Sequence, residues 1–154
     1  MGVSMSDEMA WNFIARGHTG ILTTLRRNGW PVALPLWFAV RDRRIYIATP
    51  AEAKKLRRIA NDDRGSFLVE AGEQWTELAA VQLPVRAHVL DPEQNGDEMK
   101  TAGRLFAEKY SAFRPRSKMP AATRSHYGSQ RIVRLEPAGP PLSGDNTKIR
   151  LGQD

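Results

Sequence analysis

Residues 30–40 read Trp30-Pro31-Val32-Ala33-Leu34-Pro35-Leu36-Trp37-Phe38-Ala39-Val40. Alternate side chains of an extended strand face opposite ways. The even positions, Val32, Leu34, Leu36, Phe38 and Val40, form one large apolar face that reads as core. The odd positions, Pro31, Ala33, Pro35, Trp37 and Ala39, are small or cyclic except for Trp37. Two prolines of one parity withhold amide donors along one side of the strand. Such an edge either guards against stray strand pairing or admits close approach by something flat or by a second subunit.

Upstream, Asn28-Gly29 marks a hairpin, because both residues tolerate positive φ. It joins this strand to a β-rich run, Thr19–Arg26. Before that, Ser6 can cap a helix over Asp7–Arg16, with Met9, Ala10, Phe13 and Ile14 on one face and Gly17 as its terminating glycine. Downstream, Asp42-Arg43-Arg44 makes a turn and Ile45–Ala48 a strand. Thr49-Pro50-Ala51-Glu52 combines a Thr-x-x-Glu capping box with proline at the first helical position. The helix it predicts runs to about Asn61 and buries Ala53, Leu56, Ile59 and Ala60. Ser66–Glu70 is a further strand, and Trp75–Leu90 is mostly β, with Pro84 at an edge or bulge. Asp91-Pro92 opens a helix over about Glu93–Tyr110, residues 111–130 read as loop, and Arg131–Leu135 is the last strand. A tail from about residue 137 is extended or loose. The sum is one mainly β domain over residues 1–154, with about six antiparallel strands and two or three peripheral helices. Hairpins joined by short turns favour a barrel over a doubly wound sheet.

Lys and Arg number 23 against 17 Asp and Glu, a formal net charge of +6 in 154 residues. That balance points to an anionic partner, which nucleic acid, acidic lipid or a phosphorylated small molecule would satisfy. The charge is uneven: basic segments at 41–64 and 100–134 flank an acidic one at 65–99. Cysteine is absent, which excludes disulfides, thiol nucleophiles and Cys-ligated zinc. No apolar run approaches the roughly 20 residues of a membrane span. The first residues do not read as a secretory signal, so a cytoplasmic protein is expected.

Several chemistries lack their residues. The sequence holds no Gly-x-Gly-x-x-Gly, no phosphate-binding P-loop and no Gly-x-Ser-x-Gly elbow. His18, His88 and His126 are scattered and form no His-x-x-x-His pair, so no metal site is expected. Glu73 and Glu77 flank Trp75 at a spacing that surface loops commonly show, which is poor ground for a glycosidase-type carboxylate pair. One constellation stands out. Lys54 and Lys55 lie near the start of a helix, where amide donors and the helix dipole favour an anion. Thr49 adds a hydroxyl, and Arg57 and Arg58 extend the basic surface. A bare strand followed by a phosphate-ready helix could hold a flat heterocycle and its phosphate. Redox cofactors of that kind bring their own chemistry and need no acid–base dyad.

The ordered set of parts resembles the pyridoxamine 5′-phosphate oxidase-like flavin-binding split barrels, especially their small flavin/deazaflavin oxidoreductase branch. The resemblance runs from about Thr19 to Leu90 and continues more loosely to Ile149. It rests on Leu22-Thr23-Thr24, Asn28-Gly29, the Pro-x-x-x-Pro-x-Trp-Phe strand over Pro31–Phe38, Ala48-Thr49, and Lys54, Lys55 and Leu56. It implies a split β-barrel and a homodimer with the cofactor at the subunit interface. It also implies FMN or coenzyme F420 as cofactor, with Ala33, Leu34, Pro35, Leu36 and Trp37 along the ring. Ala48 and Thr49 would then meet the ribityl or phosphate region, and Lys54 and Lys55 the phosphate. Two features depart from the family pattern: Val85-Arg86-Ala87-His88-Val89 lacks the glycine many relatives carry, and Gly144-Asp145 stands where many have Trp-Asp. The pyridoxal-phosphate-binding residues of the true oxidase are not evident, so vitamin B6 synthesis is not expected. The implied function is hydride transfer between FMN or F420 and a small substrate, with no protein group assigned as acid or base. Two alternatives stay open. One is a non-catalytic flavin or haem storage protein, with His88 or His126 as haem ligand. The other is nucleic-acid binding through residues 100–134, where Phe106, Tyr110, Phe113 and Tyr127 could stack bases.

Overall fold

In the computed structural model, residues 3–114 and 129–149 are described. They form three α-helices and eight strands: α1 (Asp7–Arg16), β1 (Gly20–Leu25), β2 (Pro31–Leu36), β3 (Ala39–Arg41), β4 (Arg44–Pro50), α2 (Lys54–Asn61), β5 (Arg64–Ala71), β6 (Ala79–Val89), α3 (Gly96–Tyr110), β7 (Gln130–Pro137) and β8 (Leu142–Asp145). All strand pairs are antiparallel, in the order β2-β1-β5-β6-β7-β4-β3, with β8 also on β6. β2 and β3 are the two ends of that path, yet only Trp37 and Phe38 separate them in the chain. A flat sheet cannot bring its two edges within a two-residue link, so the sheet curls into a barrel that is split between β2 and β3.

The expected single strand over residues 30–40 is therefore two strands on opposite edges. Strict parity fails at the link: Phe38 and its neighbour Ala39 are both buried. It fails on β2 as well, where Leu34 has the inward parity of a core residue but is 51% exposed. β2 pairs only with β1, and nothing among the described residues covers its middle. Its prolines sit as expected for an open edge. In an antiparallel ladder, residues of one parity bond the neighbour. Pro31 and Pro35 pair in register with Leu25 and Ile21, so the inter-strand amides come from Val32, Leu34 and Leu36. On the outer side only Ala33 keeps an N–H.

Local signals are realised in part. Ser6 caps α1 by accepting the Met9 N–H at 3.2 Å. Gly17 follows α1 at an ordinary φ of −63°, so no left-handed cap requires it. A Cβ there would lie 2.5 Å from Val69 Cγ1, and close packing explains the glycine instead. In the β1–β2 hairpin only Gly29 has positive φ, at 85°. The Gly29 N–H bonds the Arg26 carbonyl and the Arg26 N–H bonds the Trp30 carbonyl. This is the three-residue turn with a glycine bulge rather than a two-residue turn. Asp42 and Arg43, at φ of 51° and 57°, make the two-residue primed turn between β3 and β4.

The helix predicted from Thr49 begins later. Thr49 and Pro50 extend β4, paired with Arg131 and Gln130. α2 starts at Lys54 after Ala53, which offers no side-chain cap. It buries Ile59, with Leu56 half-buried, while Ala60 is exposed. α3 likewise starts at Gly96, because Asp91 accepts the Glu93 N–H at 2.7 Å and Asn95 accepts the Asp91 N–H at 3.1 Å, closing a turn first. Pro84 lies inside β6, where the partner on one side changes from β8 to β7, and its carbonyl accepts from Ala138. The missing proline donor falls in the gap between those two strands. The tail expected to be extended or loose carries β8 and a 3₁₀ turn at Asn146–Lys148.

The main core joins α1 (Ala10, Trp11, Ile14) and α2 (Ile59) to the barrel interior, including Leu22, Phe38, Ile47, Phe67 and Leu83. A second cluster of Ala39, Tyr46, Leu90, Ala102, Phe106 and Tyr110 docks α3 on β3 and β4.

Candidate functional site

α2 is an eight-residue helix carrying Lys54, Lys55, Arg57 and Arg58. It is anchored to β1, where the Arg58 Nε donates to Thr24 Oγ1 at 2.7 Å. Thr24 is opposite Val32 of β2. One strand therefore connects the basic helix to the bare edge strand, and the two halves of the expected site share a scaffold. The β1–β2 hairpin adds Arg26 and Arg27 beside the helix. Arg27, Arg57, Arg58, Ala60 and Asn61 line a cleft of about 470 Å³.

This surface lacks counter-charge. Among the described residues none of Arg26, Arg27, Lys54, Lys55, Arg57 and Arg58 forms an ion pair. Burial, and then repulsion from Arg58, holds the Lys55 ammonium below its ordinary pKa. Burial and Arg26 do the same to Arg58. A bound anion would relieve both penalties. Thr49 is 1% exposed and its Oγ1 has no hydrogen-bond partner. A buried unpartnered hydroxyl costs free energy unless something satisfies it.

The remaining expected residues divide between two places. Ala33, Leu34 and Pro35 are exposed on β2, and Leu36 is half-buried against the main core. Trp37 and Ala48 both pack on the second cluster. Trp37 stacks on Tyr110 at 4.4 Å between ring centroids. The Tyr110 hydroxyl accepts the Phe38 N–H at 3.0 Å and lies within bonding distance of the His18 and Phe38 carbonyls, at 2.7 and 2.9 Å. The Lys109 ammonium donates to the same Phe38 carbonyl at 3.0 Å and sits 3.8 Å from the Phe38 ring centroid. Burial brings its pKa down to about 8. The end of α3 thus grips the link between β2 and β3. Sequence reading missed this grip, since the partners lie more than 70 residues apart. It also missed Arg26 and Arg27, whose tie to α2 depends on where the helix lands.

His18 is exposed, with its ring 4.5 Å from that of Phe113. His88 is exposed on β6 opposite Arg134. His126 and Tyr127 lie outside the described residues, while Phe106 and Tyr110 are buried in the second cluster and so cannot stack bases. Glu77 does not face Glu73 as a catalytic partner: its carboxylate accepts the Glu73 and Gln74 N–H groups at 3.3 and 3.2 Å, closing the turn. Among the described residues no helix is long and apolar enough to cross a membrane.

Solved structures share this fold. A conserved hypothetical protein of Mycobacterium tuberculosis is 24% identical, with a TM-score of 0.77 over 98% of this chain and 94% of its own. A FAD-binding protein of Mesorhizobium loti is 17% identical, with a TM-score of 0.72 over 93% of this chain and 98% of its own. A FAD and haem binding protein of Mycobacterium smegmatis is 15% identical, with a TM-score of 0.66 over 94% of this chain and 73% of its own. No curated protein matches the sequence. Residues 6–138 match the pyridoxamine 5′-phosphate oxidase family, which agrees with the split barrel built above. The chain belongs to that family.

Proposed function

We propose that this protein is a cytoplasmic, homodimeric oxidoreductase that uses FMN or coenzyme F420 to transfer hydride to or from a small substrate. The observation that carries the reading is the uncompensated charge at α2, with Lys55 half-buried and no acidic partner. A phosphate meets that need, and it is the group FMN and F420 have in common. Lys54 and Lys55 hold it, at the start of the helix that follows Ala48 and Thr49 of β4. The β2 backbone from Ala33 to Leu36, with Trp37, positions a flat ring along the open edge. The bound cofactor supplies the hydride chemistry; the chain's own residues bind, orient and exclude water. A second subunit covering Leu34 would close the site from outside.

Titration of the purified protein with FMN and F420 separately tests this. One of them binds, and Lys54→Ala/Lys55→Ala weakens it by at least about tenfold, since charge-assisted contacts are lost. If neither binds the wild type, the reading fails. Unchanged binding in the variant removes only the phosphate assignment. The storage alternative is separated by turnover: a flavin-loaded protein that exchanges no hydride with any donor, or one purified with a haem absorbance band, favours it.

A further inference from the structure

The cleft beside Arg27 lies beyond the phosphate assigned to Lys54 and Lys55. Its polar lining residues are Arg27 from the β1–β2 hairpin and Arg57, Arg58 and Asn61 from α2, with no acid among them. Arg58 is fixed by Thr24, and the other three side chains are exposed and make no ion pair. Arg57 and Arg58 follow Lys54 by three and four residues, so they stand about one turn, roughly 5 Å, further along the helix. Guanidinium groups offer forked donors that suit phosphate oxygens. We propose that this cleft is a second anion subsite, which takes a phosphate group beyond the one at Lys54 and Lys55. It deepens the cofactor assignment and rests on it only for the identity of the first phosphate.

Two sources supply a second phosphate. It belongs either to the cofactor, as the diphosphate of a flavin dinucleotide, or to a separate phosphorylated co-substrate. The cleft, about 470 Å³, has room for a phosphate group together with the part of the small molecule that carries it.

Calorimetric titration of the full chain with inorganic pyrophosphate and with inorganic phosphate tests the subsite without any flavin. Pyrophosphate binds at least about tenfold tighter than phosphate, and Arg27→Ala/Arg57→Ala removes that preference. Both residues are exposed, and circular dichroism verifies that the variant stays folded. Equal pyrophosphate binding in wild type and variant overturns the proposal. So does pyrophosphate no tighter than phosphate. Mixed-sequence duplex DNA that binds at physiological salt with the same arginine dependence also overturns it, in favour of nucleic acid.

FMN and FAD then assign the source. A preference for FAD that the arginine variant abolishes places the second phosphate on the cofactor. Equal affinity for the two flavins, with arginine-dependent pyrophosphate binding to the FMN-loaded protein, places it on a co-substrate. If neither flavin nor F420 binds, the cofactor reading falls and the pyrophosphate result alone decides the subsite.

Discussion

The phenol ring of Tyr110 lies flat on the indole of Trp37, 4.4 Å between centroids and 6° from parallel. The last residue of α3 thus supports the residue that follows the bare strand. The same hydroxyl accepts the buried Phe38 N–H and bonds a carbonyl. Removing it in Tyr110→Phe leaves the stack but orphans Phe38, at a cost of about 1–3 kcal/mol. Urea denaturation measures the loss. Because Trp37 keeps its platform, cofactor affinity falls less in Tyr110→Phe than in Tyr110→Ala.

Lys109 makes stability depend on pH in the alkaline range. Burial brings its pKa from 10.5 down to about 8. Between those values the unfolded chain holds a proton that the folded chain has released, so stability rises with pH from about 8. Tyr46 opposes this at higher pH, since burial and then Glu98 push its pKa up to about 12. The useful window is therefore pH 8 to 10. Urea midpoints rise across it in the wild type and flatten in Lys109→Met.

Glu98 acts at the acid end. Burial raises its pKa, but hydrogen bonds from Arg134 and Tyr46 and the Arg134 charge outweigh burial, and the carboxyl stays below its ordinary 4.5. Its bonds to Tyr46 at 2.7 Å and Arg134 at 2.8 Å tie α3 to β4 and β7. That stabilisation is present above the unfolded pKa and is lost as pH falls through the folded one. Glu98→Gln is less stable at neutral pH by about 1–3 kcal/mol. Its stability also falls less steeply below pH 4.5 than that of the wild type, in matched acid titrations followed by circular dichroism.

Gly20 faces the Phe67 ring so closely that a Cβ would lie 2.1 Å from Phe67 Cζ. Phe67 is fully buried and cannot swing away. Gly20→Ala therefore destabilises by about 1–3 kcal/mol or more through overpacking, whereas Gly103→Ala, with open space around it, does not. Thermal melts compare the pair.

Leu34 reports on self-association. If a second copy covers the β2 edge, Leu34→Lys places a charge in that interface. Sedimentation then finds monomer where the wild type is a dimer. A dimer that survives the substitution rules out β2 as the interface.

How much of this was legible depended on the range of the cause. The Pro31/Pro35 parity and the Ser6 cap are local and formed as read, and Asn28-Gly29 marked the hairpin, though as a three-residue turn with only Gly29 at positive φ. The Thr49-Pro50-Ala51-Glu52 signal was also local but lost to strand pairing: β7 continues far enough to hold Thr49 and Pro50 in the sheet. The break at Trp37-Phe38 was illegible because residues 30–40 look uniformly strand-like, and only the rest of the barrel places their two halves on different edges. The basic helix was readable at Lys54 and Lys55. The cleft was not, because Arg27 meets α2 only through the helix's anchorage on β1.

β7 is the one strand that joins the two parts of the barrel, pairing with β6 on one side and β4 on the other. Take it away and the ladder separates into β2-β1-β5-β6, with β8 on β6, and an isolated β3–β4 hairpin, linked through the chain at Trp37-Phe38 and through α2. During synthesis the basic residues of the β1–β2 hairpin and of α2, both prolines of the edge and the whole of α3 leave the ribosome before the strand that brings the two pieces into register. The nascent chain therefore carries exposed strand edges until β7 has been made, and ring closure waits for that strand.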